Sequence, residues 1–254
     1  MTAILPSVID EAERLLDQAG RDGTTLALLG GVAVRLHATE VPASLDREYK
    51  DIDFAVPKGR GGDADKLLRA GGYEPEITFN AMMGKERMLF HDTAHGRQVD
   101  VFVGSFRMCH EIPFGNRLTA GERTVPLAEL LLTKLQIVEL NEKDAQDVLY
   151  LCSAYPVADG DEPGTIGLGR IRPLVGNDWG WWRTITLNLD RITALASGDG
   201  QGLVPAGGKH DPVKQLAVLS QAIEATPKTL RWKARARVGE RVRWYEQPEE
   251  TPHH

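Results

Sequence analysis

Asp51-Ile52-Asp53 sets two carboxylates two residues apart, followed by Phe54-Ala55-Val56 and closed by Pro57. In an extended chain, residues i and i+2 share a face. Asp51 and Asp53 therefore stand side by side, while Ile52, Phe54 and Val56 face a core. Two like charges this close repel unless a cation lies between them. Mg²⁺ suits such a pair, because it takes oxygen ligands and keeps places for water and phosphate. A third carboxylate, Asp100, lies in Gln98-Val99-Asp100-Val101-Phe102-Val103, on the face opposite the valines. If the two strands are neighbours, Asp51, Asp53 and Asp100 converge. Three carboxylates can hold two divalent ions about 3.5–4 Å apart for in-line displacement at phosphorus. The alternative is three exposed strand aspartates with no common site.

Leu26 to Leu29 form a short apolar run that ends at Gly30-Gly31, and Val32 to His37 restart a helix. Without Cβ atoms this turn lets a ligand approach the backbone, and a helix N-terminus favours an anion. It is not a Walker loop, since no G-x-x-x-x-G-K-[ST] occurs and the GRGG at 59–62 lacks that context. Lys134 follows Leu130 and Leu131 at helical spacing, so it sits on an inward apolar stripe. A buried ammonium needs an anion. A triphosphate would serve, and so would Asp144 or Asp147 of the next helix; alternatively the stem packs while the head reaches water. The residues alone leave these readings of Lys134 open, and Asp147 is placed to orient it. Asp144 could instead complement a helix start at Asn141. His91, His95 and His110 have no partner at metal-ligand spacing and read as surface or turn residues. Trp179, Trp181 and Trp182 fit core packing better than base stacking.

The elements needed to position these residues read as follows. An amphipathic helix spans residues 9–20, with a stop at Gly20. Strand, glycine turn and helix follow over 26–37, then an irregular loop to Lys50 and the strand 51–56. A short helix occupies about 63–70. Strands are expected at 76–80, 87–91 and 98–103, the last two joined by a hairpin turn over 92–97. Helices follow at 126–140 and 142–154. The order describes an α/β (α+β) domain, a mixed sheet flanked by helices, over residues 1–154. Glycines and prolines over 155–176 read as a linker. Residues 177–254 read as a helical appendage, with Asp178 and Asp211 as helix starts and a glycine-rich loop over 197–208.

The chain has 254 residues and a net charge of −6. Residues 228–243 hold seven basic residues against Glu240 alone, a net of +6 that leaves −12 on the rest. Such a patch suits a polyanion met at one place, or else a solvated face that balances nearby acids. No apolar run reaches the roughly 18 residues of a membrane helix, so no membrane is expected as partner. Cys109 and Cys152 cannot build a disulfide framework or a four-cysteine zinc site. No basic start precedes Asp10 and Glu11, so no signal peptide is read and a reducing cytoplasm is the expected compartment.

Leu29-Gly30-Gly31, then Asp51-Ile52-Asp53, then Asp100 on a later strand resembles the nucleotidyltransferase superfamily typified by DNA polymerase β. The Gly-Gly turn, with Leu132-Thr133-Lys134-Leu135 and Lys143-Asp144-Ala145-Gln146-Asp147, resembles its minimal bacterial branch, which includes abortive-infection toxins. The resemblance spans about residues 25–154. It implies that Gly30 and Gly31 touch the phosphates of an NTP such as ATP, with Lys134, Asp144 and Asp147 also serving the nucleotide. It further implies that Asp51 and Asp53 bind two Mg²⁺ ions and that Asp100 completes the catalytic one. The expected activity is transfer of a nucleoside monophosphate from an NTP to an acceptor. RNA or tRNA is favoured as acceptor, through Arg231, Lys233, Arg235, Arg237, Arg241 and Arg243, with an antitoxin protein as a further partner. The competing readings are an antibiotic-type small-molecule acceptor, or a non-catalytic nucleotide- or partner-binding member.

Overall fold

The computed structural model describes residues 3–197, 203–205 and 207–247. Parts of the expected 197–208 loop and the last residues of the expected appendage lie outside them. The chain forms two compact units, one of residues 1–41, 47–106 and 112–126, the other of 42–46, 107–111 and 127–254.

The first unit begins with α1 (Val8–Asp22), capped by Ser7, whose hydroxyl accepts from the Asp10 amide. Its buried stripe is Ala12, Leu15, Leu16 and Ala19, as the sequence predicts; the stop is Gly23 at φ 66°, not Gly20. β1 (Ala27–Leu29), α2 (Gly30–Leu36), β2 (Ile52–Val56), α3 (Gly61–Ala70), β3 (Glu74–Pro75), α4 (Ile77–Met83), β4 (Arg87–Asp92) and β5 (Arg97–Val103) follow. The sheet order is β1-β2-β5-β4-β3, with β2 and β5 parallel and the other neighbours antiparallel. Leu28, Ile52, Phe54, Leu89, Phe90, Val99 and Val101 are buried in it. The mixed sheet and its flanking helices make this an α/β fold, as expected from the alternating patterns.

Side-facing backbone groups of β1 and β4 are covered. Leu28 donates to the Arg123 carbonyl and accepts from the Val125 amide, each at 2.9 Å. On the far side, the expected strand at 76–80 is instead α4, and only Glu74–Pro75 pair with β4. The β-prone run Ile77-Thr78-Phe79 is overridden by one side chain. Asn80 donates its amide N–H to the Leu89 carbonyl (2.9 Å) and accepts from the Leu89 amide (2.7 Å), supplying what another strand would have supplied.

After β6 (Ser105–Arg107) and β7 (Glu111–Pro113), the second unit carries α5 (Leu127–Leu135), α6 (Glu142–Ala154), β8 (Val157–Ala158), β9 (Ile166–Gly167), α7 (Leu168–Asn177), α8 (Trp179–Ser197), α9 (Pro212–Ala225) and α10 (Leu230–Val238). Asp178 and Asp211 cap α8 and α9 as predicted. Two expectations change. The chain divides near residue 126, so α5 and α6 belong with the C-terminal helices, packing against α7, α8 and α9. Residues 155–176 are not a linker, because β8, β9 and α7 lie there. The glycines serve close packing: a Cβ at Gly176 would lie 2.8 Å from the Pro227 carbonyl oxygen.

Candidate functional site

Asp53 and Asp100 are direct partners in the parallel β2–β5 register, and Leu29 is the antiparallel partner of Asp53. The three strands therefore bring the end of β1, Asp53 and Asp100 onto one face. Asp51 stands just before β2, exposed, with Asp53 half-buried and Asp100 buried. This is the neighbourhood that the alternation predicts for Asp53 and Asp100.

Gly30 begins α2 at φ +72°, a conformation that L side chains rarely adopt. A Cβ there would collide with Asp53 Oδ2, so glycine is needed for the backbone angle and for the approach of the carboxylate. At Gly31 a Cβ would lie 3.3 Å from Tyr49 Cε1 and 3.4 Å from Arg47 Nη2. Arg47 also stacks over the Tyr49 ring, 5.3 Å from its centroid. The glycine turn is thus walled by Asp53 on one side and by Arg47 and Tyr49 on another.

Asp100 has partners that sequence reasoning missed. Arg87 donates Nε to Asp100 Oδ1 at 2.6 Å, and Gln98 donates Nε2 to Oδ2 at 2.7 Å. The Arg87 guanidinium lies over the Phe102 ring (5.2 Å) and the Phe79 ring (5.9 Å). Leu89 is the register partner of Asp100, so Arg87 is its diagonal neighbour on the same face. A basic residue opening a strand beside that of Asp100 was the available signal.

The donors Asp51, Asp53 and Asp100 are all hard carboxylates, which suits Mg²⁺. Among the described residues no three His, Cys, Asp or Glu side chains gather closely enough to hold an ion. The two oxygens of Asp100 are engaged by Arg87 and Gln98. Asp51, exposed, and Asp53, half-buried, have the oxygen chemistry that Mg²⁺ takes.

In the second unit, Lys134 lies 3.0 Å from Asp144 and 2.9 Å from Asp147. Burial alone would lower the ammonium's pKa; Asp147 and then Asp144 outweigh it and raise the value. Both aspartates foreseen as partners of Lys134 lie within ion-pair distance. Asp144 also receives the Asn141 cap at its amide, as the helix-start alternative foresaw.

His110 departs from the expectation of a surface or turn residue. It is buried, Nε2 lies 2.8 Å from Thr184 Oγ1, and its amide donates to Gln136. Burial pushes its pKa down to about 4, against an opposing pull from Asp178. His95 does sit in the β4–β5 turn, bound to Asp92. Cys109 and Cys152 are both buried, and burial raises both thiols, Cys152 to about 12, which suits structural roles. Trp179 and Trp181 are buried in the helical unit as expected, and Trp182 is partly covered. In the basic segment Arg235 turns inward, donating to the carbonyls of Gly239 and Val242 and lying over Trp179. Arg231, Lys233, Arg237, Arg241 and Arg243 are exposed. No helix among the described residues is long and apolar enough to cross a membrane.

No family model matches the chain, and no curated protein matches it. Solved structures do resemble it. The antibiotic-resistance factor ANT(2'')-Ia in solution is 14% identical with a TM-score of 0.40, over 57% of this chain and 82% of that one. An antigenic nucleotidyltransferase-like protein from Paracoccidioides brasiliensis is 13% identical with a TM-score of 0.40, over 87% and 94%. The STING-associated CdnE c-di-GMP synthase from Capnocytophaga granulosa is 14% identical with a TM-score of 0.28, over 89% and 79%.

Proposed function

We propose that the protein is a metal-dependent nucleotidyltransferase that moves a nucleoside monophosphate from an NTP to an acceptor. The observation that carries this reading is the register: Leu29, Asp53 and Asp100 in line, with Asp53 Oδ2 in the space a Cβ at Gly30 would fill. In the reaction an acceptor oxygen bonds to the α-phosphorus, the bond to the β,γ-unit breaks, and pyrophosphate leaves.

The backbone of Gly30 and Gly31 would meet the phosphates, with the Cβ space of Gly30 taken by Asp53 and that of Gly31 bordered by Arg47 and Tyr49. Asp51 and Asp53 would hold Mg²⁺, which neutralises phosphate charge when bound. Arg87 fixes the orientation of Asp100 facing the same ground. The exposed Arg231, Lys233, Arg237, Arg241 and Arg243 supply phosphate contacts to an RNA acceptor.

Incubating the full chain with each labelled NTP, Mg²⁺ and total RNA tests the reading. Label transfer to RNA by wild type, lost in Asp53→Asn, is the expected result. A second reading, a non-catalytic nucleotide-binding member, is favoured by the hold of Arg87 and Gln98 on both oxygens of Asp100. NTP binding without transfer under every combination would put it ahead.

A further inference from the structure

A cavity of about 590 Å³ opens in the first unit between the start of α1 and the segment 47–50, with the β4–β5 turn as its third wall. Its volume is within the range of small-molecule sites, roughly 300–1,000 Å³. Arg47, Lys50, His95 and Arg97 line it, with Glu48 as the only acidic side chain among the lining residues. The Val8 and Ile9 segment contributes the first turn of α1, whose positive end is answered by its own Asp10 and Glu11. Tyr49 adds an aromatic face. Arg47 and Tyr49 are the two side chains closest to Gly31, so one wall serves both the cavity and the glycine turn.

We propose that this cavity seats a phosphate-bearing nucleotide of the acceptor, beside the site where the glycine turn takes the incoming NTP. The proposal rests on the transferase reading and names the substrate class within it. Cations that converge with an aromatic ring suit phosphate and base together. Arg97 and His95 are answered by Asp92 (3.9 and 2.7 Å), but Arg47 and Lys50 against Glu48 still leave the walls positive, which opposes a polycationic acceptor such as an amino sugar. Arg97 anchors the cavity without serving as a mobile contact: it is buried, and its Nη2 is committed to the carbonyls of Leu5 and Pro6. Lys50 is the exposed cation and so the one to vary.

Equilibrium titration of the full chain with a 5′-phosphorylated tetranucleotide and its dephosphorylated twin tests this directly. Wild type is expected to prefer the phosphorylated form by about tenfold, the worth of one hydrogen-bonded charged contact. Lys50→Glu is expected to abolish that preference while MgATP still binds. Asp53→Asn is expected to retain the preference, so failure of transfer and failure of this site remain separate results. A 5′-mononucleotide that binds as well as the tetranucleotide would name a free nucleotide as acceptor. Tighter binding of the tetranucleotide would name a strand, and both outcomes support the seat. Equal affinity for the two tetranucleotides, or an unchanged preference in Lys50→Glu, overturns it. Displacement of the tetranucleotide by MgATP also overturns it, because the cavity would then hold the triphosphate itself.

Discussion

Two clusters of buried charge use the same residue types to different ends. In the helical unit, Lys134 pairs with Asp144 and Asp147, both on one helix, with Asp147 fully buried and the other two largely covered. In the sheet unit, Asp100 is enclosed by Arg87 and Gln98, but Asp53 beside it is half-buried and Asp51 is exposed. The first cluster is complete within itself and reads as a pin between α5 and α6. The second includes the half-buried Asp53 against the Gly30 turn. Exposure separates the two clusters.

The largest expected effect tests the open cluster. Asp53→Asn should lower label transfer by at least about a hundredfold to a thousandfold, the scale of losing one preorganised charge contact, with little change in Tm. Equal turnover would dissolve the distinction between the two clusters. Lys134→Ala should do the reverse. Leaving Asp147 buried without its cation should lower folding stability by about 3–5 kcal/mol, with NTP affinity preserved in the folded fraction. Urea unfolding and a nucleotide titration would check both halves. Weak NTP binding at full stability would make Lys134 a phosphate ligand, as its sequence position first suggests.

How much of this was legible in the sequence depends on which contacts were local. The alternation in 51–56 and 98–103 reveals both strands and the face of each that carries its aspartate, because period two is written into each strand separately; that the two strands are neighbours is tertiary. Arg87 was not legible as the partner of Asp100, since that requires the register of β4 on β5. α4 was misread because Ile77, Thr78 and Phe79 favour strands locally, whereas the Asn80 contact with Leu89 is tertiary. The stretch 155–176 was misread because glycine marks close packing as often as freedom. His110 was misread because Thr184, which binds its ring nitrogen, is far away in sequence.

His110 supplies a smaller test within the helical unit. With its folded pKa pushed down to about 4, the folded state binds fewer protons than the unfolded state below the ordinary histidine value. Stability should therefore be full above about pH 6.5 and fall by about 3 kcal/mol as pH drops toward 4. His110→Gln should flatten that part of the curve in urea unfolding at stepped pH. A wild-type curve that is flat between those values would remove the buried neutral imidazole.

The smallest effect concerns the exposed basic residues. Lys233→Ala with Arg237→Ala should leave fold and NTP binding unchanged and reduce the log–log salt slope of RNA binding by about two. An unchanged slope would make the patch a solvated face, and the acceptor would then be sought at the sheet unit alone.

The covering of Leu28 on β1 and Leu89 on β4 has a consequence beyond the site. The outward amide and carbonyl of Leu28 are taken by the 123–125 segment, the Leu89 amide by Asn80, and the Leu89 carbonyl by Asn80 and the Glu76 amide. A strand from another molecule finds no unpaired backbone to copy at either place, and copying of this kind is how sheets seed fibrils. Asn80→Ala should therefore reveal itself less in activity than in the test tube, as a protein that scatters light at concentrations where the wild type stays clear.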